Sequence, residues 1–222
     1  MDETNLYLEF IKKNFPESAI AKNINIYDFY KIIQEVNLSI SILSKYAIQN
    51  DNDCWEIFLS RFQDALNKLL LYLPLNDSTG INILFRIMVE SLLKYLYSIS
   101  IDSDFNKIDK LAYRELKAKL KHTNIDYQVL YSIYAKYSNS IHVKKEYNND
   151  TIIILQDIIS SKQPNIVKLI NEVLKLVNIY NERTIKLSNI KITTFSMAEV
   201  KSLKRYCSPS YLKNYFYKYM LS

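Results

Sequence analysis

A single glycine, Gly80, in a chain of 222 residues is the tightest constraint this sequence carries. Tight hairpins and phosphate-cradling loops need backbone with φ above zero or with no side chain in the way, and glycine supplies both. With only four prolines as further turn material, the chain has little from which to build a β-rich fold. The scarcity predicts an all-α protein of long helices. It also removes P-loops and G-x-G-x-x-G dinucleotide loops, whose backbones approach phosphate only where side chains are missing. The 49% apolar content is ample for a packed core.

Two cysteines and two histidines narrow the chemistry further. No Cys-x-x-Cys, His-Glu-x-x-His or glycine-bearing calcium loop occurs, so no metal site of known spacing is expected, and no motif calls for a cofactor. The acidic start Met1-Asp-Glu-Thr does not read as a secretory leader, so none is expected. Residues 81–97 come closest to a membrane span, but Arg86, Glu90 and Lys94 interrupt them. With Cys54 and Cys207 far apart and read as reduced thiols, a cytoplasmic protein is expected.

Apolar periodicity predicts helices over residues 4–14, 26–49, 54–73, 78–100, 109–121, 126–146, 164–187, 197–206 and 209–221. Asp53-Cys-Trp-Glu56 and Ser196-Met-Ala-Glu199 read as capping boxes, and Ser208-Pro209 as an N-cap before a proline at N1. Residues 151–155 and 190–195 are β-branched and allow short strands instead. No fixed repeat period emerges.

Residues 81–98 are apolar except for one row spaced by four: Asn82, Arg86, Glu90, Lys94 and Ser98. Such a row drifts slowly round a helix, so it forms one polar stripe on an otherwise buried rod. Two readings are open. Either Glu90 pairs with Arg86 and Lys94 in a solvated ladder, or the stripe lines an internal cleft. Later in the chain, Leu130, Ile133 or Tyr134, Tyr137 and Ile141 define a packed face, with Tyr134, Ser138 and His142 as a row along its border. His142 is either an ordinary boundary histidine or an imidazole placed to manage a proton, with Ser138 one turn before it. His122 lies at a helix end, where a cation favours the dipole, and Trp55 reads as a core anchor.

The helix Arg86-Ile-Met-Val-Glu90-Ser-Leu-Leu-Lys-Tyr-Leu-Tyr97, taken with the later Tyr134-Ala-Lys-Tyr-Ser138-Asn-Ser-Ile-His142, resembles the HEPN superfamily of small helical domains. That family is frequent among bacterial toxins and antiphage systems. The likeness covers roughly residues 54–146. It implies a bundle of antiparallel helices, a composite site commonly shared across a homodimer, and metal-independent RNA cleavage by an Arg-x4-6-His motif. Carried over, His142 would handle the ribose hydroxyl proton while a cation stabilises phosphate charge. This chain has Lys136 where the family has arginine, giving Lys-x5-His. Lysine lacks the guanidinium fork, so Arg86 is the alternative cation. The resemblance thus implies a site of His142, Arg86, Lys136, Ser138 and Glu90. It also implies an RNA target and a partner protein, either an antitoxin or another subunit of a defence complex.

Charge is unevenly distributed. Residues 188–222 hold six basic residues against Glu199 alone, so nearly all of the net +6 sits there. This tail divides the chain into a bundle over 1–187 and a basic extension over 188–222. The extension interleaves tyrosines with Lys201, Lys204, Arg205, Lys213 and Lys218, the mixture that stacks bases while holding phosphates, with Tyr215 as a stacking candidate. The competing reading makes Tyr211, Tyr215 and Tyr219 the packing stripe of a terminal helix. Three functions follow: a ribonuclease of toxin or defence type, a non-catalytic RNA-binding module, and a helical subunit of a larger complex.

Overall fold

The structure is a computed structural model that describes residues 3–18, 20, 25–47, 54–121, 127–139 and 164–220. All regular structure among the described residues is helical. The order is α1 (Glu3–Asn14), α2 (Asn25–Ser44), α3 (Cys54–Tyr72), α4 (Ser78–Ser100), α5 (Phe105–Asp109), α6 (Tyr113–Leu120), α7 (Gln128–Asn139) and α8 (Ile166–Leu187). A single 3-10 turn (Ile192–Thr194) leads to α9 (Met197–Tyr206) and α10 (Pro209–Tyr211). The all-α bundle expected from the glycine count is what the chain adopts.

The organising element is α4, which buries 14 of its 23 residues and so must be covered on several sides. α3 returns along it as an antiparallel hairpin. Trp55 meets Tyr95 edge-on at one end, and Tyr72 lies against Gly80 at the other. α7 covers a second side, stacking Tyr137 on Phe85 with centroids 4.3 Å apart. α8 covers a third, where the Tyr95 hydroxyl and Thr184 Oγ1 share a buried hydrogen bond of 2.8 Å. One continuous hydrophobic cluster runs from Ile11 to Met220.

The chain turns without glycine. Asn76 and Asn189 take the left-handed conformation, with φ of 55° and 49°, which asparagine tolerates better than most side chains. Each ends its helix in the same way. The residue after it donates back five positions, Asp77 to the Tyr72 carbonyl and Ile190 to the Ile185 carbonyl. Gly80, by contrast, has no positive φ. A Cβ there would collide with the Tyr72 ring and press on the Asp77 carboxylate, which caps α4 by accepting from Gly80 N at 2.8 Å. The sole glycine serves close approach and not a turn.

Several local expectations need correction. Residues 109–121 do not form one helix. Asp104 accepts from Asn106 N and Lys107 N to start α5, and Glu115 then caps the Ala112 N–H to start α6. Residues 190–195 form no strand, because their core is the 3-10 turn. The terminal helix is not uniform either. α10 runs into a wider π-type turn (Leu212–Phe216) and then a 3-10 turn (Tyr217–Tyr219). There the buried Asn181 amide donates to the Tyr215 carbonyl at 2.7 Å, supplying a donor where the helical ladder is irregular. Residues 151–155 and Asp53 lie outside the described residues. No helix among the described residues is long and apolar enough to cross a membrane.

The basic tail is anchored in the core. Glu35 of α2, 1% exposed, accepts from Ser208 N at 2.7 Å and so places a carboxylate at the start of α10. Ser39 shares a 2.7 Å hydrogen bond with the Tyr211 hydroxyl. Tyr211, Leu212, Phe216 and Met220 are buried with α2 and α8. α9 is held by Glu199, which accepts from Lys45 at 3.1 Å and from the Tyr46 hydroxyl at 2.6 Å. It also completes the expected capping box with Ser196.

Candidate functional site

The polar stripe of α4 does not stay together. Its lower half meets α7: the Arg86 guanidinium donates to the Tyr134 hydroxyl at 3.3 Å, and that hydroxyl donates to Glu90 Oε1 at 2.9 Å. Arg86 also lies over the Tyr134 ring, 5.4 Å from its centroid, and 4.0 Å from Glu90. Tyr113 of α6 stacks on the same ring, with centroids 3.6 Å apart. Burial, then the neighbouring Tyr131 and Tyr134 hydroxyls, raise the Tyr113 phenol to about 12, so it stays protonated. Arg86 Nε is buried with no acceptor among the described residues. The upper half goes elsewhere. Lys94 donates to the Asp109 carbonyl at 2.7 Å and to its carboxylate, which Arg61 also grips. Hydrogen bonds from Arg61 first, then from Lys94, outweigh burial and lower the Asp109 carboxyl. Ser98 is buried and donates to the Tyr95 carbonyl.

Lys136 faces away from Arg86. Two residues along α7 turn a side chain past the opposite side of the helix, so while Tyr134 meets α4, Lys136 reaches α8 and pairs with Glu172 at 3.0 Å. Glu172 is buried, is shared with Lys175 at 3.6 Å and keeps Oε2 without a partner among the described residues. Burial, then Glu172, push the Tyr137 hydroxyl upward. Ser138 is buried with its hydroxyl unpartnered among the described residues. Arg86, Glu90 and Tyr134 are thus brought together, and Lys136 sits in a separate cluster with Glu172. His142 and His122 lie outside the described residues. No group of three or more potential metal ligands occurs among the described residues.

The cations of the tail separate into three places. Lys213, Tyr215 and Lys218 line a groove of about 840 Å³ between α8 and the terminal turns, with Asn171, Lys175 and Asn178 on the opposite wall. No acidic residue among the described residues lines it. Neither Lys213 nor Lys218 has an acidic partner among the described residues, and the Glu199 carboxylate is engaged by Lys45. Lys204 and Lys213 flank a smaller, almost wholly apolar pocket of about 420 Å³ that includes Cys207 and Leu212. Burial, then Glu35, push the Cys207 thiol up to about 12, so it is no nucleophile at neutral pH. Arg205 faces a third cleft beside Tyr206, Tyr27 and Tyr30. Lys201 is exposed on α9 and lines none of these three cavities.

The tail's tyrosines have mixed roles. Tyr211 is core, Tyr215 is half-buried on the groove, and Tyr219 donates to Asn178 at 2.8 Å. Sequence reasoning missed the groove's second wall, although Asn171, Lys175 and Asn178 follow one another at helical spacing. It also missed Tyr113 and Glu172, which no local pattern marks. Comparison of the chain with family models, with curated proteins and with solved structures finds no match.

Proposed function

We propose that this chain is a HEPN-like helical protein that binds single-stranded RNA in a bacterial toxin or antiphage defence system. The RNA backbone lies in the groove between α8 and the terminal turns. The observation that carries this reading is the groove's lining among the described residues: Lys175, Lys213 and Lys218 with Asn171 and Asn178, a half-buried tyrosine and no carboxylate. Lys213 and Lys218, which have no acidic partner among the described residues, attract phosphate and release its counterions, the asparagines offer donors to ribose and phosphate oxygens, and an aromatic face suits a base. Binding of a short oligouridylate, followed by fluorescence anisotropy across a salt series, tests it. The expected result is a steep loss of affinity with salt, shallower by about 0.7 in log–log slope for each phosphate contact removed by Lys213→Glu or Lys218→Glu. Salt-independent binding, or wild-type affinity in the double variant, would remove the reading.

A second reading, metal-independent cleavage of that RNA, draws on Arg86. Its side chain is 28% exposed, and a terminal guanidinium nitrogen reaches Tyr134 on α7, whose sequence leads toward His142. A phosphate oxygen is a natural partner for such a part-exposed guanidinium. RNA breakdown that survives EDTA and disappears in both His142→Ala and Arg86→Ala would support it. Intact RNA in the wild type would leave binding alone.

A further inference from the structure

The apolar pocket and the basic groove adjoin at Lys213, which lines both. A ligand filling both cavities must carry anions along the groove and present an uncharged group one side chain away from them. A single-stranded polynucleotide has this repeat, since every phosphate is adjacent to a sugar that bears a base. In a duplex the bases are stacked and unavailable. The pocket's chemistry fits the uncharged part. Leu212 and Cys207 are buried along it, Ile192 and Tyr217 add apolar and aromatic surface, and Lys204 supplies a second cation. The thiol of Cys207 is held protonated by burial and puts no charge there. A volume of about 420 Å³ lies within the range of small-molecule sites.

We propose that this pocket receives a nucleobase everted from the strand whose phosphates occupy the groove, with Lys213 and Lys204 holding the flanking phosphates. The inference rests on the RNA-binding reading above and adds to it a preference for single strands that carry bases. Because the lining has almost no hydrogen-bonding groups, the base is held by stacking and apolar contact, and discrimination among the four bases is weak.

The test compares oligouridylate with an abasic ribose-phosphate chain of the same length, both binding the full-length protein at fixed salt. Roughly tenfold tighter binding of oligouridylate is expected, the size of one stacked base. Ile192→Asp places a carboxylate at the pocket from an exposed position in the 3-10 turn, and should shrink the ratio to what the groove's Tyr215 alone contributes; an unchanged ratio overturns the pocket. The ratio cancels any general charge effect on the groove. Tyr217→Ser serves the same purpose if the first variant does not fold. Equal affinities in the wild type overturn the pocket while leaving the groove intact. Uptake of decanoate alongside equal affinities assigns the pocket to an acyl chain and overturns it as well. Failure of both oligomers to bind removes the groove and the pocket together.

Discussion

Pro74 has no N–H, so the Leu70 carbonyl four residues before it loses its helical donor. The Tyr7 hydroxyl takes that place from α1 at 2.7 Å, and in doing so ties the first helix to the end of α3. Tyr7→Phe should therefore cost about 1 kcal/mol in urea unfolding, the net worth of a neutral hydrogen bond to a part-buried acceptor. Its ring would still stack on Tyr30. Gly80 sets two effects against each other. Alanine within a helix gains roughly 0.8–1 kcal/mol over glycine, whereas forcing a methyl into filled space costs about 1–3 kcal/mol. With the Tyr72 ring already in that volume, Gly80→Ala should lower stability. An increase in the unfolding midpoint would show that Tyr72 moves aside freely.

At the scale of the element, α9 is secured through one carboxylate. Burial by itself would raise Glu199, but hydrogen bonds from Tyr46, from Ser196 through its backbone and hydroxyl, and from Lys45 outweigh it and lower the carboxyl from 4.5 to about 2. A carboxylate depressed on folding stabilises the protein fully above its unfolded value, and that stabilisation is lost as pH falls from about 4.5 toward 2. Wild type should therefore lose stability through this window, and Glu199→Gln should be less stable at neutral pH and flatter in acid. Parallel acid profiles for the two proteins would contradict the assignment. The α9 box was legible in the sequence because capping is local: Ser196 and Glu199 are three residues apart and need only each other's backbone. The long helices were legible for the same reason, from their spacing. The terminal π-type turn was not, because it depends on Asn181, which is 34 residues away. The stripe on α4 was visible as a row, yet its division between Tyr134 and Asp109 is set by which helix packs beside each turn. The groove needs two helices docked together, and sequence periodicity describes each helix alone.

Across the whole molecule, the charge-rich end is held by the core and is not a loose appendage. Tyr211 and Phe216 are among the largest fully buried side chains, and the Glu35 carboxylate and the Ser39 hydroxyl both reach partners in residues 208–211. Removing residues 207–222 would strand a buried carboxylate and open the α2–α8 seam, a combination whose separate costs are several kcal/mol each. Such a truncation should bind anilinonaphthalene sulfonate and lose its near-ultraviolet circular dichroism. A truncated chain that unfolds as cooperatively as the full one would refute this. Cations of the tail are thereby presented on a rigid surface, so their spacing, and not only their sum, governs what they hold.

The pairing of Glu35 with the Ser208 amide has a consequence for biosynthesis. The acid emerges from the ribosome early, and the group that satisfies it is translated 173 residues later. Until then the second helix carries a carboxylate that favours water, which disfavours premature collapse around it. Completion of the interior is thereby tied to synthesis of the segment that begins at Ser208. Nascent chains stalled before codon 208 should be digested rapidly by added protease, and chains stalled on a long linker placed after residue 222 should resist it.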